Sequence, residues 1–399
     1  MGLIRGISLI LLKKLIVMDS RLKFLLTVLF IFSCNAVVLS QKKFSATIQF
    51  PSQLDKTFIQ LLYDNGKKEV KVKSLFSNSQ ITISDSFYSK YATIIINYLD
   101  KRGMFLNSKS FFVTDKPAQI IFYPQNKKPL EEYKLINAYD IGSKGAEKLE
   151  SFDSSENREF EDFMSANRDE FGTNDSLQII AGEKGLKLWS KELEFITENG
   201  NLYYSFWLFR REIIPRLFTN ADSLLGIYNS VFPDSFKQSI EGAEILKVLE
   251  GRIHTRKNQQ APAFTAFDTR GKTISLSEYH GKYVILNFWA SWCSPCIEEI
   301  PALKRIRDSY PEDKLQIISI TYDKDTLAFS KAVKKYKMNW IHIFGDEDLI
   351  KEYGDQAVPM VYLLDYTGKV IYSREEDKDY REGKLIILDK ILGEILEKR

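Results

Sequence analysis

The sequence predicts a chain in three parts: a β-rich segment over residues 41–126, a helical region over 127–256, and a C-terminal α/β domain over 257–399. Three observations predict this. Short β-branched and aromatic runs recur at regular spacing before residue 126. Apolar residues then return at helical spacing. After about residue 257, strand-like and helix-like patterns alternate, and the first central strand runs into "FWASWCSPC", Phe288 to Cys296.

The β-rich segment contains "SATIQF", "FIQLLYD", "EVKVKSLF", "QITIS", "ATIIINYLD", "SKSFFVT" and "AQIIFYP". Turn-forming stretches such as Asp64-Asn65-Gly66 separate them, which suggests an antiparallel sandwich or barrel-like sheet. The polar stretch between Pro124 and Pro129 reads as the exit linker. In the helical region, Ser154 or Ser155 is a candidate cap ahead of Phe160, Phe163 and Met164 at helical spacing. A second helical stretch runs through "GLKLWSKELEFITENGNLYYSFWLFRREIIPRLF", interrupted at Gly200 and Pro215. Its aromatic cluster, Tyr203 to Phe209, reads as a buried helix face rather than a ligand platform.

"HTRKNQQAP" (His254 to Pro262) reads as a linker. Beyond it come a short strand near Phe264–Phe267, the strand "KYVILNFWA", a helix from about Pro295 to Tyr310 and the strand "LQIISITYD". The helix "DTLAFSKAVKKYK", the strand "WIHIFGD" and the short helix "EDLIKEYG" follow. The strands "PMVYLLD" and "KVIYSR", joined by a turn at Tyr366–Lys369, precede a final helix from about Arg381.

The first 40 residues read as a leader. "RLKFLLTVLFIFSCNAVVLSQ" has a basic start, an apolar run and then small and polar residues, with a cleavage point after Ser40. This unit begins at Met18, which suggests an over-called start before it. Two alternatives stay open: an N-terminal membrane anchor, although the run from Phe24 to Ser33 is short for a bilayer, and lipidation of Cys34. All three place the protein in the cell envelope, with a periplasmic location expected. Residues 1–40 carry a net +4, which leaves −1 for the rest of a chain whose whole is +3. A near-neutral body argues against nucleic acid as a partner.

Of three cysteines, Cys34 lies in the leader and only Cys293 and Cys296 remain, both in one motif and in a compartment that oxidises thiols. A thiol at a strand-to-helix junction faces outward-pointing N–H groups, and the helix dipole stabilises its thiolate. Cys293 is therefore the expected nucleophile and Cys296, one turn on, the resolving thiol. Pro295 suits a first helical turn. A structural zinc site needs four ligands, and His254, His280 and His342 are not at ligand spacing. Copper handling through the two cysteines and a histidine stays open, as does peroxidase chemistry at one cysteine. No cofactor is called for.

"FWASWCSPC" in this β/α setting resembles the thioredoxin superfamily. "APAFTAFDTRGKTISLSEYHGKYVILNFWASWCSPCIEEIPAL" is similar to its TlpA/ResA-type envelope branch, over about residues 258–399. The whole chain more loosely resembles Bacteroidetes members with extra N-terminal domains. The resemblance implies that Trp292 is the active-site tryptophan and Cys293 and Cys296 the redox pair. It also implies that Pro359 in "AVPMV" is a cis-proline, with Val358 and Pro359 offering an edge to an extended substrate. Glu299 matches the acid that this branch uses to tune cysteine protonation. Thioredoxin proper has a buried aspartate six residues before the first cysteine, where this chain has Asn287; that departure makes Glu299 the expected acid/base partner.

Ser294-Pro295 lacks the histidine of oxidising types, and Pro before the second cysteine is typical of reducing members. The expected activity is a thiol-disulfide oxidoreductase, a dithiol reductant of protein disulfides re-reduced by a membrane electron-donor thiol protein. An alternative assigns the main role to the first two segments, binding a partner or glycan, with the C-terminal domain accessory.

Overall fold

A computed structural model describes residues 42–396, apart from 74–78, 102, 104, 125–128, 141–144, 146, 168–169, 172–173, 217–219 and 381–382. The expected leader, with Cys34, lies outside the described residues. Contacts divide the chain into two compact units, Met1–Ala138 and Tyr139–Arg399.

The first unit is built from β1 (Lys42–Gln49), β2 (Ile59–Asp64), β3 (Glu69–Lys71), β4 (Gln80–Phe87), β5 (Ala92–Leu99), β6 (Phe105–Val113), β7 (Ala118–Phe122) and β8 (Tyr133–Ile136), and β9 (Ala138–Asp140) begins at its last residue. Two sheets form, ordered β4-β1-β7-β8 and β3-β2-β5-β6-β9. All strand pairs with a defined register are antiparallel except β1 with β7, which is parallel. Period-2 alternation explains the core: Phe44, Ala46 and Ile48 of β1 share one buried cluster with Ile94, Ile96, Phe111, Ile120 and Phe122. The expected exit linker is instead the connection between β7 and β8, which pair antiparallel from Gln119↔Ile136 to Phe122↔Tyr133. A polar stretch bounded by prolines has the same composition in a hairpin connection as in a linker.

The second unit begins with helices α1 (Glu147–Ala166), α2 (Asp175–Glu198), α3 (Tyr203–Leu208), α4 (Ala221–Val231), α5 (Asp234–Lys237) and α6 (Ile240–His254). Helix α1 starts ahead of Ser154 and Ser155, which lie inside it rather than at its cap. Helix α2 has Asn174 as its cap, the side chain accepting from the N–H groups of Ser176 and Leu177. After α3 a π-helical turn at Phe209–Ile213 carries the chain toward Pro215. Tyr203, Phe206, Trp207 and Phe209 are buried, as a helix-face reading of the aromatic cluster requires.

The remainder is an α/β domain. A hairpin of β10 (Thr265–Phe267) and β11 (Thr273–Ser275) precedes β12 (Tyr283–Trp289), α7 (Ser294–Ser309), β13 (Leu315–Thr321), α8 (Thr326–Tyr336) and β14 (Ile341–Phe344). Then come α9 (Glu347–Glu352), β15 (Met360–Leu364), β16 (Val370–Ser373) and α10 (Ile386–Leu396). The sheet order is β14-β13-β12-β15-β16. Strands β12, β13 and β14 are parallel, and β15 runs antiparallel to β12. Strands β12, β13 and β15 are buried on both faces, so they read as continuous apolar runs. Ile285, Trp289, Val361 and Leu363 face one core with α7, α8 and α10. Val284, Leu286, Phe288, Met360 and Tyr362 face a second with α9 and the β10–β11 hairpin. Among the described residues no helix is long and apolar enough to cross a membrane.

Helix α10 begins at Ile386, later than Arg381, for a tertiary reason. The Asp379 carboxylate accepts from the N–H groups of Ile387 at 3.0 Å and Leu388 at 3.2 Å, so a side chain seven residues upstream caps the helix.

Candidate active site

The parallel strands end together, and the loops leaving those ends carry the candidate residues. Strand β12 stops at Trp289, and a turn brings the Cys293 N–H to the Ala290 carbonyl at 3.2 Å. Cys293 is the N-cap of α7, with extended backbone (φ −87°, ψ 101°), and its Sγ accepts from the Cys296 N–H at 3.2 Å. Pro295 occupies the first turn, where its missing N–H has no partner to lose. Cys293 and Cys296 are joined in a disulfide with their Cα atoms 5.2 Å apart. Both are buried, at 5% and 3% exposure. Beside them Trp292 is 68% exposed, whereas Trp289 is wholly buried against Phe329 and His342.

A residue not anticipated from sequence holds this turn. Asp323, buried just past the end of β13, accepts from the Ser291 N–H at 2.9 Å and the Ser291 hydroxyl at 2.7 Å. It also accepts from the Thr321 hydroxyl at 2.7 Å. The available signal was its place directly after a buried parallel strand, where α/β sites gather. Asp323→Ala strands these donors and is expected to lower stability by about 2 kcal/mol. Urea denaturation of the oxidised protein checks this, and an unchanged midpoint would mean the clamp contributes nothing.

Glu299 lies one turn beyond Cys296 on α7, three residues on and so on the same side. It is 1% exposed. Its Oε1 accepts from Arg374 Nε at 2.6 Å, and its Oε2 is buried without a hydrogen-bond partner. Burial pushes its pKa up to about 7, against the lowering effect of the Arg374 guanidinium; Asp379 and Glu298 push it further up. Arg374 follows β16, donates its N–H to the Val361 carbonyl and lays its guanidinium over the Tyr380 ring at 4.8 Å. No sequence signal joined Arg374 to Glu299. Asn287, on the same face of β12 as Trp289, donates from Nδ2 to the Ser319 hydroxyl at 2.9 Å, which also accepts from Trp340 Nε1.

The Val358–Pro359 peptide bond is cis. Pro359 leads directly into β15, where Met360 pairs with Phe288 and Val361 with Asn287. That register puts the proline loop at the end of β12 from which the cysteine turn departs. Val358 packs against the core cluster that contains both cysteines. The structure thus gathers Trp292, Cys293, Cys296, Glu299, Val358 and Pro359 at one end of the sheet.

Comparison with known proteins bears on this arrangement. Residues 258–373 match the model of the AhpC/TSA family. The thiol-disulfide oxidoreductase ResA of Bacillus thuringiensis subsp. konkukian is 37% identical over 114 residues, which is 28% of this chain and 66% of that relative, just under two thirds of its length. ResA of Bacillus anthracis is 34% identical over 130 residues, 32% of this chain and 75% of the relative. The chain belongs to the ResA-type thiol-disulfide oxidoreductases. Its C-terminal domain is thioredoxin-like, preceded by a β-rich region and a helical middle. Among solved structures, the thioredoxin domain of a thiol-disulfide oxidoreductase from Bacteroides vulgatus is similar, with 25% identity, 34% of this chain and 97% of that chain covered, and a TM-score of 0.31.

Proposed function

We propose that this protein is an envelope dithiol reductant of protein disulfides, working through Cys293 and Cys296. The observation that carries the reading is the cysteine pair at the N-cap of α7, where Cys293 Sγ accepts a helix N–H. In the reduced protein the same donor and the helix dipole favour a Cys293 thiolate. That thiolate attacks one sulfur of a substrate disulfide, forming a mixed disulfide and releasing the other sulfur as a thiolate, which takes up a proton. The Cys296 thiolate then attacks Cys293 Sγ, so the substrate leaves with two reduced sulfurs and the protein holds the 293–296 disulfide. Glu299, with a pKa near 7 and one oxygen free of hydrogen bonds, takes the Cys296 proton and returns it on re-reduction.

The substrate contributes an extended segment that pairs with the backbone at Val358–Pro359 and lies against exposed Trp292. Two electrons must come back from a dithiol donor, which an envelope location assigns to a membrane thiol protein. The leader reading of residues 1–40, by cleavage, anchor or lipid on Cys34, supports that location. The β-rich unit, with a core of its own, serves to choose or dock substrate.

The direction of electron flow rests on Ser294-Pro295 and is tested by redox titration, counting free thiols by alkylation and mass across thiol/disulfide buffers. A single two-electron transition near about −270 mV is expected, whereas a midpoint near about −120 mV would make the protein an oxidant. Absence of any transition would remove the redox role.

A further inference from the structure

The loop that presents Val358 and Pro359 is not held by the α/β domain alone. Helix α6, which precedes residues 258–373, lies along α9 and the turn that follows it. Lys247 pairs with Asp348 at 3.3 Å and Glu352 at 3.5 Å, and Glu244 with Lys351 at 2.8 Å. At the C-terminal end of α6 the approach becomes backbone to backbone. A Cβ on Gly251 would stand 2.5 Å from the Glu352 carbonyl oxygen and 2.6 Å from the Gly354 nitrogen. Gly354, at φ +89°, would meet Arg252 Cγ at 2.5 Å if it carried a side chain.

Arg252 is the polar element of this contact. Its Nε donates to the Gly354 carbonyl at 2.9 Å, while its Nη2 is buried without an acceptor. Its charge also acts on the carboxylate of Asp355, the next residue, which adopts a positive φ of 42°. The chain then runs through Gln356, whose carbonyl accepts from the Tyr322 hydroxyl at 2.9 Å and whose amide donates to the Tyr362 hydroxyl at 2.9 Å. Two residues later it reaches Val358 and the cis bond. A continuous series of short contacts therefore leads from α6 to the edge offered to substrate.

We infer that Arg252 is a positioning residue for polypeptide substrates: by holding Gly354 and Asp355 it sets where the Val358–Pro359 edge stands. This rests on the function proposed above and adds that the helical region is part of the substrate site. The physical reason is that strand-like pairing needs backbone donors and acceptors in register, and a small misplacement of a rigid edge is costly. A small disulfide needs only the sulfur of Cys293 and is indifferent to that edge.

The test uses the full chain, with Arg252→Met against wild type, on two probes: insulin as a disulfide-bonded polypeptide and 5,5′-dithiobis(2-nitrobenzoate) as a small disulfide. The expected result is a KM for insulin raised about tenfold at nearly constant kcat. The rate with the small disulfide and the Cys293–Cys296 midpoint potential stay unchanged. An unchanged KM for insulin overturns the inference, as does an equal loss on both probes. Wild type that reduces neither probe overturns the proposed function and this inference with it, so the two failures are distinguishable. If Arg252→Met does not fold, Arg252→Lys is followed by backbone hydrogen exchange. Faster exchange at 355–358 with β12 and β13 unaffected supports the inference, and unchanged exchange there overturns it.

Discussion

Cys293→Ser is expected to lower disulfide reduction by roughly a thousandfold or more, because on the proposed mechanism it removes the thiolate that opens the substrate bond. Cys296→Ser is expected to fail differently. Cys293 still attacks, the mixed disulfide forms, and no thiol stands one helical turn away to release it. The measurement is mass spectrometry of each reduced variant after exposure to a disulfide-bonded polypeptide, with alkylation to stop exchange. A one-to-one adduct should accumulate with Cys296→Ser and be absent with Cys293→Ser. The geometry gives the asymmetry: Cys293 is the N-cap, with its sulfur accepting the Cys296 N–H, whereas Cys296 is inside the helix and at 3% exposure. Adducts on Cys296 in the Cys293→Ser protein would reverse the two roles. Turnover by Cys293→Ser within tenfold of wild type would sink the mechanism.

Glu299 supplies the second large effect, and it depends on pH. Its folded pKa of about 7 lies above the ordinary 4.5 because burial outweighs the attraction of Arg374. Below pH 4.5 the carboxyl is protonated in both folded and unfolded chains and contributes no pH dependence. Between 4.5 and 7 the unfolded chain has lost the proton while the folded chain retains it, so stability falls as pH rises. Above 7 the loss is complete, and it amounts to about 3 kcal/mol.

Glu299→Gln removes this titration and takes the carboxylate away from Arg374 at every pH. The stability of wild type relative to Glu299→Gln is therefore expected to drop by about 3 kcal/mol between pH 4.5 and pH values above 7. Urea denaturation of both oxidised proteins across that window measures it. A difference that does not change with pH would make Glu299 an ordinary helix carboxylate. A carboxyl that titrates near neutrality is what the proposed proton exchange with Cys296 calls for.

How far the sequence could be read follows from the range over which each signal acts. The α/β domain was legible almost element by element. Strands β12, β13 and β15 are buried on both faces, and Asp325 and Asp346 cap α8 and α9 from the adjacent position. Boundaries that depend on distant partners differ from the local pattern. Ser154 and Ser155 have the composition of a cap yet lie within α1, and α10 waits for the Asp379 carboxylate rather than starting near Arg381. The stretch from Pro124 to Pro129 joins two strands of one sheet, because β8 finds its pair in β7.

The candidate site divides along the same line. The sequence by itself determined the placement of Cys293 and Cys296, since a buried strand running into a helix with Pro295 in its first turn is a local pattern. It also placed Glu299 one turn further along the same helix. Only the tertiary structure decided what surrounds them. Arg374 stands 75 residues from Glu299, Asp323 stands 32 from Ser291, and Arg252 stands 102 from Gly354. Hydrophobic period and capping are written within a dozen residues of sequence. A polar pair between distant elements leaves no periodic trace, and exists only once the packed sheet has brought both groups to the same end.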